Sequence, residues 1–403
     1  MKWPSISFSE LFRVKHGYAF KGQYFESDGP FVLLTPGNFC EEGGYRDQGD
    51  KQKFYTGDVP EAFILDQGDV LVAMTEQSHG LLGSSVWIPT SNRLLHNQRL
   101  GRIVDLDETR LNKRFLYYLF NTRDVRHQIA ASASGTKVRH TAPDRIGQVV
   151  VNLPPPKVQC RIADVLSAYD DLMENNRRRM ALLEEAARQL YREWFVRLRF
   201  PGREHTRVTD GVPEGWERVP APEAIGINPR TPLSDELEHW WVQMADLPTD
   251  SMVIQNAVKR EGRGGSKFRN RDTLFARITP CLENGKTGFV NFMAEGEVGR
   301  GSTEFIVLRS KRLTPEFVYC LARTYDFREN AIKSMVGSSG RQRVQESCFQ
   351  EFLVLVPSRR VLTLFAESVE PLFQQIKVLH LQNQKLRAAR DLLPRLMSGE
   401  VAV

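Results

Sequence analysis

The fold is decided by a stretch that reads IADVLSAYDDLMENNRRRMALLEEAARQLYREW over residues 162–194. Mostly apolar side chains recur in it at alternating steps of four and three, without a break, over about four heptads. A sustained 3.5-residue period is typical of a coiled-coil seam rather than of an ordinary amphipathic helix. The main seam positions are Ile162, Leu166, Tyr169, Met173, Asn176, Met180 and Leu183. We therefore predict a long helix that packs along this seam on another helix.

The same pattern returns 203 residues later in the chain. Its seam positions are Phe365, Val369, Leu372, Ile376, Leu379, Asn383 and Leu386. Two such helices in one chain pack most economically on each other. Each seam contains an asparagine, Asn176 or Asn383, and a polar seam residue specifies register at some cost in stability, although either could also be there by chance. Pro371 interrupts the second stretch and predicts a kink or a late start there.

The segments before the two helices also repeat. The run at residues 68–74 matches the run at 271–277, and Ser134-Gly135 matches Ser339-Gly340 about 200 positions later. Short β-like runs separated by glycine- and asparagine-rich turns dominate each segment. One helix is expected in each, at about residues 112–133 and 314–336. A period near 200 residues is too long for a solenoid and indicates a duplicated two-part unit.

Composition restricts the classes of protein that remain. The chain has 403 residues, of which 41% are hydrophobic and 26% charged, with a formal net charge of +6. This is a globular composition of two or three domains, and its mild basicity is compatible with a polyanionic partner. Five widely spaced cysteines fit reduced thiols. The N-terminus does not resemble a signal peptide, and no apolar run reaches the about 18–20 residues of a membrane helix, so no membrane association is expected.

The sequence signatures of enzymes are missing. A phosphate-binding loop ending at Lys286 would need a glycine where Pro280 stands. The cysteines and histidines lack zinc-ligand spacing, and no glycine-rich turn between strand and helix indicates a nucleotide pocket. We therefore predict no catalytic residues, no metal site and no cofactor in this chain. A binding protein is the leading hypothesis.

Duplex DNA is the ligand that a tandem pair of similar globules fits best. It offers two half-sites about 34–36 Å apart on one face, and a helix over residues 162–194 spans about 48 Å. Basic and amide side chains recur in loops at equivalent places, where they can contact phosphates or base edges. The candidate DNA-binding residues are Gln77, Ser78, His79, Lys137, Arg139, His140, Lys259, Arg263, Lys267, Arg269, Arg277, Asn284, Lys286, Arg341, Gln342 and Arg343. Ordinary solvated surface charge remains the alternative, especially for the glycine-containing basic loop between Lys259 and Arg271.

Five features, in this order along the chain, resemble the specificity subunits of type I restriction–modification systems. They are residues 69–74, LPPP at 153–156 before the long helix, Gly-Trp at 215–216, LFARITPCLENGK at 274–286, and RDLLPRLMSGE at 390–400. The resemblance implies an α+β fold: two similar mixed α/β target recognition domains in tandem, joined and held apart by two long helices that form an antiparallel coiled coil with pseudo-twofold symmetry. The expected segments are domain one at 1–153, a central helix at 154–200, a linker at 201–213, domain two at 214–356 and a C-terminal helix at 357–403.

The resemblance further implies a non-catalytic subunit of a cytoplasmic prokaryotic complex, in which each domain reads one half of a split DNA sequence. The expected partners are double-stranded DNA, two methyltransferase subunits docked on the helices, and two restriction/translocase subunits. S-adenosylmethionine, ATP and Mg are expected on those subunits. The segment EQSHGL at 76–81 departs from the shorter glycine-containing turn of many members, which puts the base-reading role of this loop in doubt.

Two other classes of function remain open. A stand-alone DNA-binding adaptor would have no methyltransferase partner, and co-purification of one would exclude it. A divergent nuclease or methyltransferase would respond to titration of the isolated chain with S-adenosylmethionine or metal ions, whereas a specificity subunit would not.

Overall fold

The computed structural model describes residues 3–77, 80–232, 238–338 and 340–391. The chain forms two compact units. The first contains residues up to 172 together with the described residues from 386 onward, and the second contains residues 173–385. Each unit therefore combines a globule with parts of two long helices.

The globule of the first unit is built from short strands and three short helices, followed by the first long helix. Its strands are β1 (Ser5–Ser7), β2 (Arg13–His16), β3 (Phe25–Glu26), β4 (Phe31–Leu33), β5 (Phe54–Tyr55), β6 (Val70–Ala73), β7 (Thr75–Glu76), β8 (Ser85–Trp87), β9 (Leu94–Leu95), β10 (Leu100–Val104), β11 (Arg139–His140) and β12 (Val150–Asn152). Its helices are α1 (Lys113–Phe120), α2 (Arg123–Ala131), α3 (Pro143–Gly147) and the long α4 (Pro156–Tyr191), which continues into the second unit.

Strand β6 lies at the centre of this globule because both of its faces are apolar. It belongs to a four-stranded antiparallel sheet of order β2-β10-β6-β8. Side chains alternate along a strand, so Val70 and Val72 pack in a cluster with α1 and the start of α4. Leu71 and Ala73 face the other way, into a cluster beneath the second sheet, whose order is β3-β5-β4-β9. β1 pairs with β12 and ties the start of the globule to its last strand.

The second unit contains the corresponding elements and ends with the second long helix. Its strands are β13 (Val208–Thr209), β14 (Val212–Pro213), β15 (Glu217–Pro220), β16 (Ile225–Ile227), β17 (Glu238–Val242), β18 (Val258–Glu261), β19 (Ser266–Arg269), β20 (Thr273–Ala276), β21 (Thr287–Phe289), β22 (Val298–Gly301), β23 (Phe305–Ser310) and β24 (Leu353–Val356). Its helices are α5 (Ala221–Ala224), α6 (Pro315–Ala322), α7 (Tyr325–Lys333), α8 (Cys348–Glu351) and the long α9 (Arg359–Asp391). The segment predicted as a linker contains the β13–β14 pair.

The two globules share the topology of their central four-stranded sheet. The order β16-β23-β20-β21 reproduces β2-β10-β6-β8, and β15 pairs with β24 as β1 pairs with β12. A buried aspartate precedes each central strand and forms an ion pair with an arginine of the neighbouring strand. Asp69 meets Arg102 at 3.0 Å, and Asp272, 203 positions later, meets Arg309 at 2.6 Å. The duplication inferred from the sequence is thus seen both in the strand pairing and in this buried ion pair.

Each unit contains contacts between the two long helices. In the second unit, the Asn176 Nδ2 atom donates to Asn383 Oδ1 at 2.9 Å, and Tyr191 packs on Phe365. Residue numbers rise along α4 as they fall along α9, so the helices are antiparallel there. In the first unit, Arg390 forms an ion pair with Asp170 at 3.1 Å.

The predicted fold class is confirmed, with two corrections to its helices. The structure has two helices where one was predicted in each globule. α1 and α2 are separated by Asn121 and Thr122, and α6 and α7 by Arg323 and Thr324. The Thr324 side chain caps the second helix of its pair by accepting the backbone N–H of Phe327. The late start considered for the second long helix is wrong, because α9 begins at Arg359 and continues through Pro371. The domain boundaries given above remain a prediction.

Candidate nucleic-acid interface

In each globule, two segments predicted to contact DNA lie side by side. The loop after α2 folds back so that β11 pairs with β7, placing Arg139 opposite Glu76. In the second globule, Arg343 forms the corresponding bridge with Ile278. The contact follows from the topology, because the central strand and the second short helix end on the same side of each globule.

The charged side chains of these paired loops divide into two groups. Lys137 and Arg341 are exposed, and neither forms an ion pair with any described residue. Arg139, in contrast, forms an ion pair with the buried Glu76, with 3.1 Å between Nη1 and Oε1. Arg343 donates through its Nε and Nη2 atoms to the Glu304 carboxylate at 2.7–3.0 Å, and this contact raises its pKa. The two unpaired cations are therefore the ones available to a phosphate.

The predicted basic loop between Lys259 and Arg271 is largely strand, which corrects that expectation. β18 and β19 occupy opposite edges of a four-stranded sheet of order β18-β17-β22-β19. The turn between them needs glycine: Gly265 has a φ of +76°, and a Cβ there would lie 2.1 Å from a backbone oxygen. Val242 of β17 and Phe268 of β19 pack in one buried apolar cluster, which anchors the sheet that carries the cations.

The cations of this sheet also differ in what they contact. Lys259 donates to Glu297 at 2.7 Å, which lowers the pKa of Glu297, and its ammonium group lies 5.4 Å from the centre of the Trp240 ring. Three further cations form no ion pair within the described ranges: Arg263, Lys267 and Arg269. A cation without a close carboxylate is available to the phosphates of a polyanion. Arg269 also acts within the fold, because its charge opposes the burial that raises the pKa of Asp272.

The remaining predicted residues lie in varied environments. Lys286 donates to the Met244 carbonyl at 2.7 Å, a contact within the fold. Arg277 is half-buried and reaches Glu346 at 3.5 Å. The exposed members are Gln77, His140 and Asn284, and Gln342 is half-buried. Ser78 and His79 lie outside the described residues. The assignment of these two residues to DNA binding stays a prediction, and so do the assignments of the other candidate residues.

Sequence reasoning missed an aromatic platform on β17. The guanidinium of Arg260 lies 4.1 Å from the centre of the Trp241 ring. Successive side chains of a strand alternate in direction, so this contact lies on the opposite face from the Lys259–Trp240 contact. Stacked aromatic and basic groups can hold a base or a sugar–phosphate backbone. The adjacent tryptophans in the run HWWV at 239–242 were the available signal.

The predicted seam residues are all buried or half-buried. The buried members are Ile162, Leu166, Met173, Asn176, Phe365, Val369, Ile376 and Leu379, and the half-buried ones are Tyr169, Met180, Leu183, Leu372, Asn383 and Leu386. Within the described ranges there is no group of three or more His, Cys, Asp or Glu side chains that could hold a metal ion. None of the helices described is long and apolar enough to cross a membrane.

Comparison with known proteins identifies relatives of this chain. Residues 1–185 match the family model Methylase_S, the type I restriction modification DNA specificity domain. The MjaIX specificity subunit of Methanocaldococcus jannaschii is 25% identical over 77% of this chain and 74% of its own length. The EcoEI specificity subunit of Escherichia coli is 29% identical over 36% of this chain and 26% of its own length.

The chain is a relative of the type I specificity subunits.

One solved structure agrees at the level of the fold. The crystal structure of a type I restriction–modification S subunit from M. genitalium matches with a TM-score of 0.59 and 15% identity. The match covers 98% of this chain and 96% of that one. The resemblance to type I specificity subunits, inferred from sequence motifs, is confirmed by the family model and the curated relatives together.

Proposed function

We propose that this chain is the non-catalytic DNA-recognition subunit of a type I restriction–modification complex, and that each globule reads one half of a bipartite, asymmetric DNA sequence. The observation that carries the proposal is the duplicated topology with an unpaired cation at the equivalent loop of each globule, Lys137 in one and Arg341 in the other. Two similar DNA-contacting surfaces in one chain can bind the two halves of a bipartite DNA sequence. Because the loops differ in sequence, the two halves of the target should differ as well.

The long helices have the second role in this proposal. They set the number of base pairs between the half-sites and dock two methyltransferase subunits. Three large apolar side chains on the outer faces of α4 and α9 support a docking role: Leu182 is 71% exposed, Val378 46% and Leu381 42%. Contiguous exposed apolar patches mark sites of protein–protein contact, and we propose that these side chains form part of such a patch.

The chemistry of the complex belongs to its other subunits. We expect S-adenosylmethionine on the methyltransferase subunits, and ATP and Mg on two restriction/translocase subunits. Within this chain, the proposal requires polar and basic side chains for DNA and an apolar face for the partners. The complex would act in the cytoplasm of a prokaryotic cell.

Methylation mapping tests the proposal directly. The gene is expressed with its cognate methyltransferase in a host that lacks both, and genomic DNA is sequenced for modified adenines. We expect methylation at one bipartite sequence that is absent without this chain. Methylation that persists in its absence, or that lacks a split pattern, would contradict the proposal. A partner that fails to co-purify would favour a stand-alone DNA-binding adaptor.

A further inference from the structure

A buried carboxylate lies where β7 and β11 pair in the first globule, beside the two loops that we propose to contact DNA. Glu76 is 4% exposed. Its Oε2 atom accepts the backbone N–H groups of Gly80, Leu81 and Leu82 at 3.1, 3.0 and 2.9 Å. Three N–H donors on one anionic oxygen are charge-assisted hydrogen bonds, which are about twice as strong as neutral ones. Glu76 therefore holds the backbone of residues 80–82 in place.

The opposite side of the same segment is held by a cation. Arg126, on α2, donates to the Leu82 carbonyl at 2.8 Å, to the Gly80 carbonyl, and to the Glu41 carbonyl at 2.8 Å. Burial lowers the pKa of Arg126, while the charge of the nearby Glu76 opposes that shift. The N–H groups of this segment thus face an anion, and its carbonyl groups face a cation. Side chains therefore bond all three of these N–H groups and two of the carbonyl groups of the segment, and the Leu81 carbonyl accepts the backbone N–H of Ser84.

The second loop of the surface is attached to the same carboxylate. Arg139 donates through Nη1 to Glu76 Oε1 at 3.1 Å and through Nη2 to the Ala130 carbonyl at 2.5 Å. The backbone pairing of β11 with β7 places the same two residues, Arg139 and Glu76, opposite each other. One carboxylate therefore sets the position of both loops relative to each other.

The second globule joins its equivalent loops by different chemistry. Thr279 stands 203 positions after Glu76, and its hydroxyl oxygen accepts the backbone N–H of Gln342 at 3.1 Å. The Thr279 N–H in turn donates to the Gln342 carbonyl at 3.1 Å. The ion pair of this surface, between Arg343 and Glu304, is partly exposed, with 45% and 23% of the two side chains accessible. No carboxylate occupies the position of Glu76.

We propose that Glu76, acting with Arg126 and Arg139, is a positioning group that sets the DNA specificity of the first globule alone. Arg139 then serves the surface through Glu76 rather than as a contact to DNA. The consequence is that the two half-sites are tuned independently: loss of the carboxylate relaxes the reading of one half of the target and leaves the other half unchanged. The inference rests on the proposed DNA-recognition function.

The first experiment measures the position of the loop without DNA. Hydrogen exchange of the full-length chain is followed by mass spectrometry on peptides that contain residues 80–82, in the parent protein and in Glu76→Gln. We expect exchange of these amides to become about tenfold faster, because charge-assisted bonds are lost. Glu61→Gln, an exposed substitution in the same globule, should leave exchange unchanged. Unchanged exchange in Glu76→Gln would overturn the positioning role, whatever the chain binds.

The second experiment measures specificity of the assembled complex. Binding is titrated on the mapped target duplex and on duplexes with single-base changes in either half. For Glu76→Gln, we expect discrimination in the half read by the first globule to fall about tenfold, within the cost of one misplaced base contact. Discrimination in the other half should stay within about twofold. Equal losses in both halves would overturn the proposal, and so would weaker affinity with unchanged discrimination.

A second pair of variants guards against a folding defect. Arg139 is 26% exposed, so Arg139→Ala should fold, and it should show the same one-sided loss of discrimination. Arg139→Lys retains the positive charge beside Glu76, so it should discriminate between bases better than Arg139→Ala does. A lysine variant no better than alanine would contradict a role through the ion pair. If the parent complex itself discriminates no sequence, the proposed function fails, and the exchange experiment still decides whether Glu76 holds the loop.

Discussion

The salt dependence of DNA binding should fall when the unpaired cations of β19 and its preceding turn are removed. The variant is the triple substitution Arg263→Ala, Lys267→Ala, Arg269→Ala. None of these side chains has an ion pair with a described residue. Asp272 also experiences the charge of Arg269, but it keeps its ion pair with Arg309 in the variant. The fold should therefore be retained, and the change in binding should report on DNA contacts.

The magnitude follows from counterion release. Each phosphate contact contributes about 0.9 to the slope of log affinity against log salt, so three lost contacts lower it by about 2.7. Between roughly 50 and 200 mM salt, the loss of affinity should then be about 40-fold smaller for the variant than for the parent. At the lower salt concentration, the variant should bind far more weakly than the parent.

The assay is fluorescence anisotropy of the assembled complex on a labelled target duplex at five salt concentrations. Lys259→Ala is the matched comparison, because this lysine lies in the same sheet but is already bonded to Glu297 at 2.7 Å. Its effect on the slope should be clearly smaller than that of one unpaired cation. An unchanged slope in the triple variant would remove this sheet from the interface. An effect of Lys259→Ala as large as the whole triple would refute the distinction between paired and unpaired cations.

Further predictions concern the long helices. Inserting four residues after Leu183 adds about 6 Å of rise and about 40° of rotation, and methylation mapping should show the same half-sequences with one or two more base pairs between them. Asn383→Leu should destabilise the protein by about 1–3 kcal/mol in thermal melts, because it leaves the buried Asn176 amide without its acceptor, whereas replacing both asparagines by leucine should cost much less. Burial raises the pKa of Glu184, which accepts hydrogen bonds from Tyr319 and from a backbone N–H. Protonation is therefore favoured in the folded state, so stability relative to Glu184→Gln should rise as the pH falls from about 7 towards about 4.5, and denaturant titrations at several pH values would measure this.

Much of the architecture could be predicted because it depends on patterns within short sequence segments. The 3.5-residue period defined both long helices, and the copy 203 residues later showed that the chain is duplicated. The apolar runs at β6 and β20 were recognisable as β-like segments, but their central place in each sheet is seen only in the structure, where all four residues of each strand are buried. The break between α1 and α2 was missed because the apolar pattern continues across it. The end of α1 depends on Asn121, whose amide donates to Ser85 Oγ at 2.7 Å, far away in sequence.

The sequence by itself determined which residue types stand on the candidate surface, but only the tertiary structure decided which of them are available. Arg139 and Lys137 belong to one basic run, and nothing local distinguishes them. Arg139 turns inward because the topology brings the Glu76 carboxylate within 3.1 Å, whereas Lys137 meets no such partner among the described residues. The same holds for Arg343 and Arg341 around Glu304. An ion pair depends on distance in space, and the carboxylates that neutralise these arginines lie 63 and 39 residues away along the chain. Sequence periodicity cannot reveal contacts between residues this far apart in the chain. The residue types on the surface can therefore be read from short sequence segments, whereas the cations left without a carboxylate partner are determined by the fold.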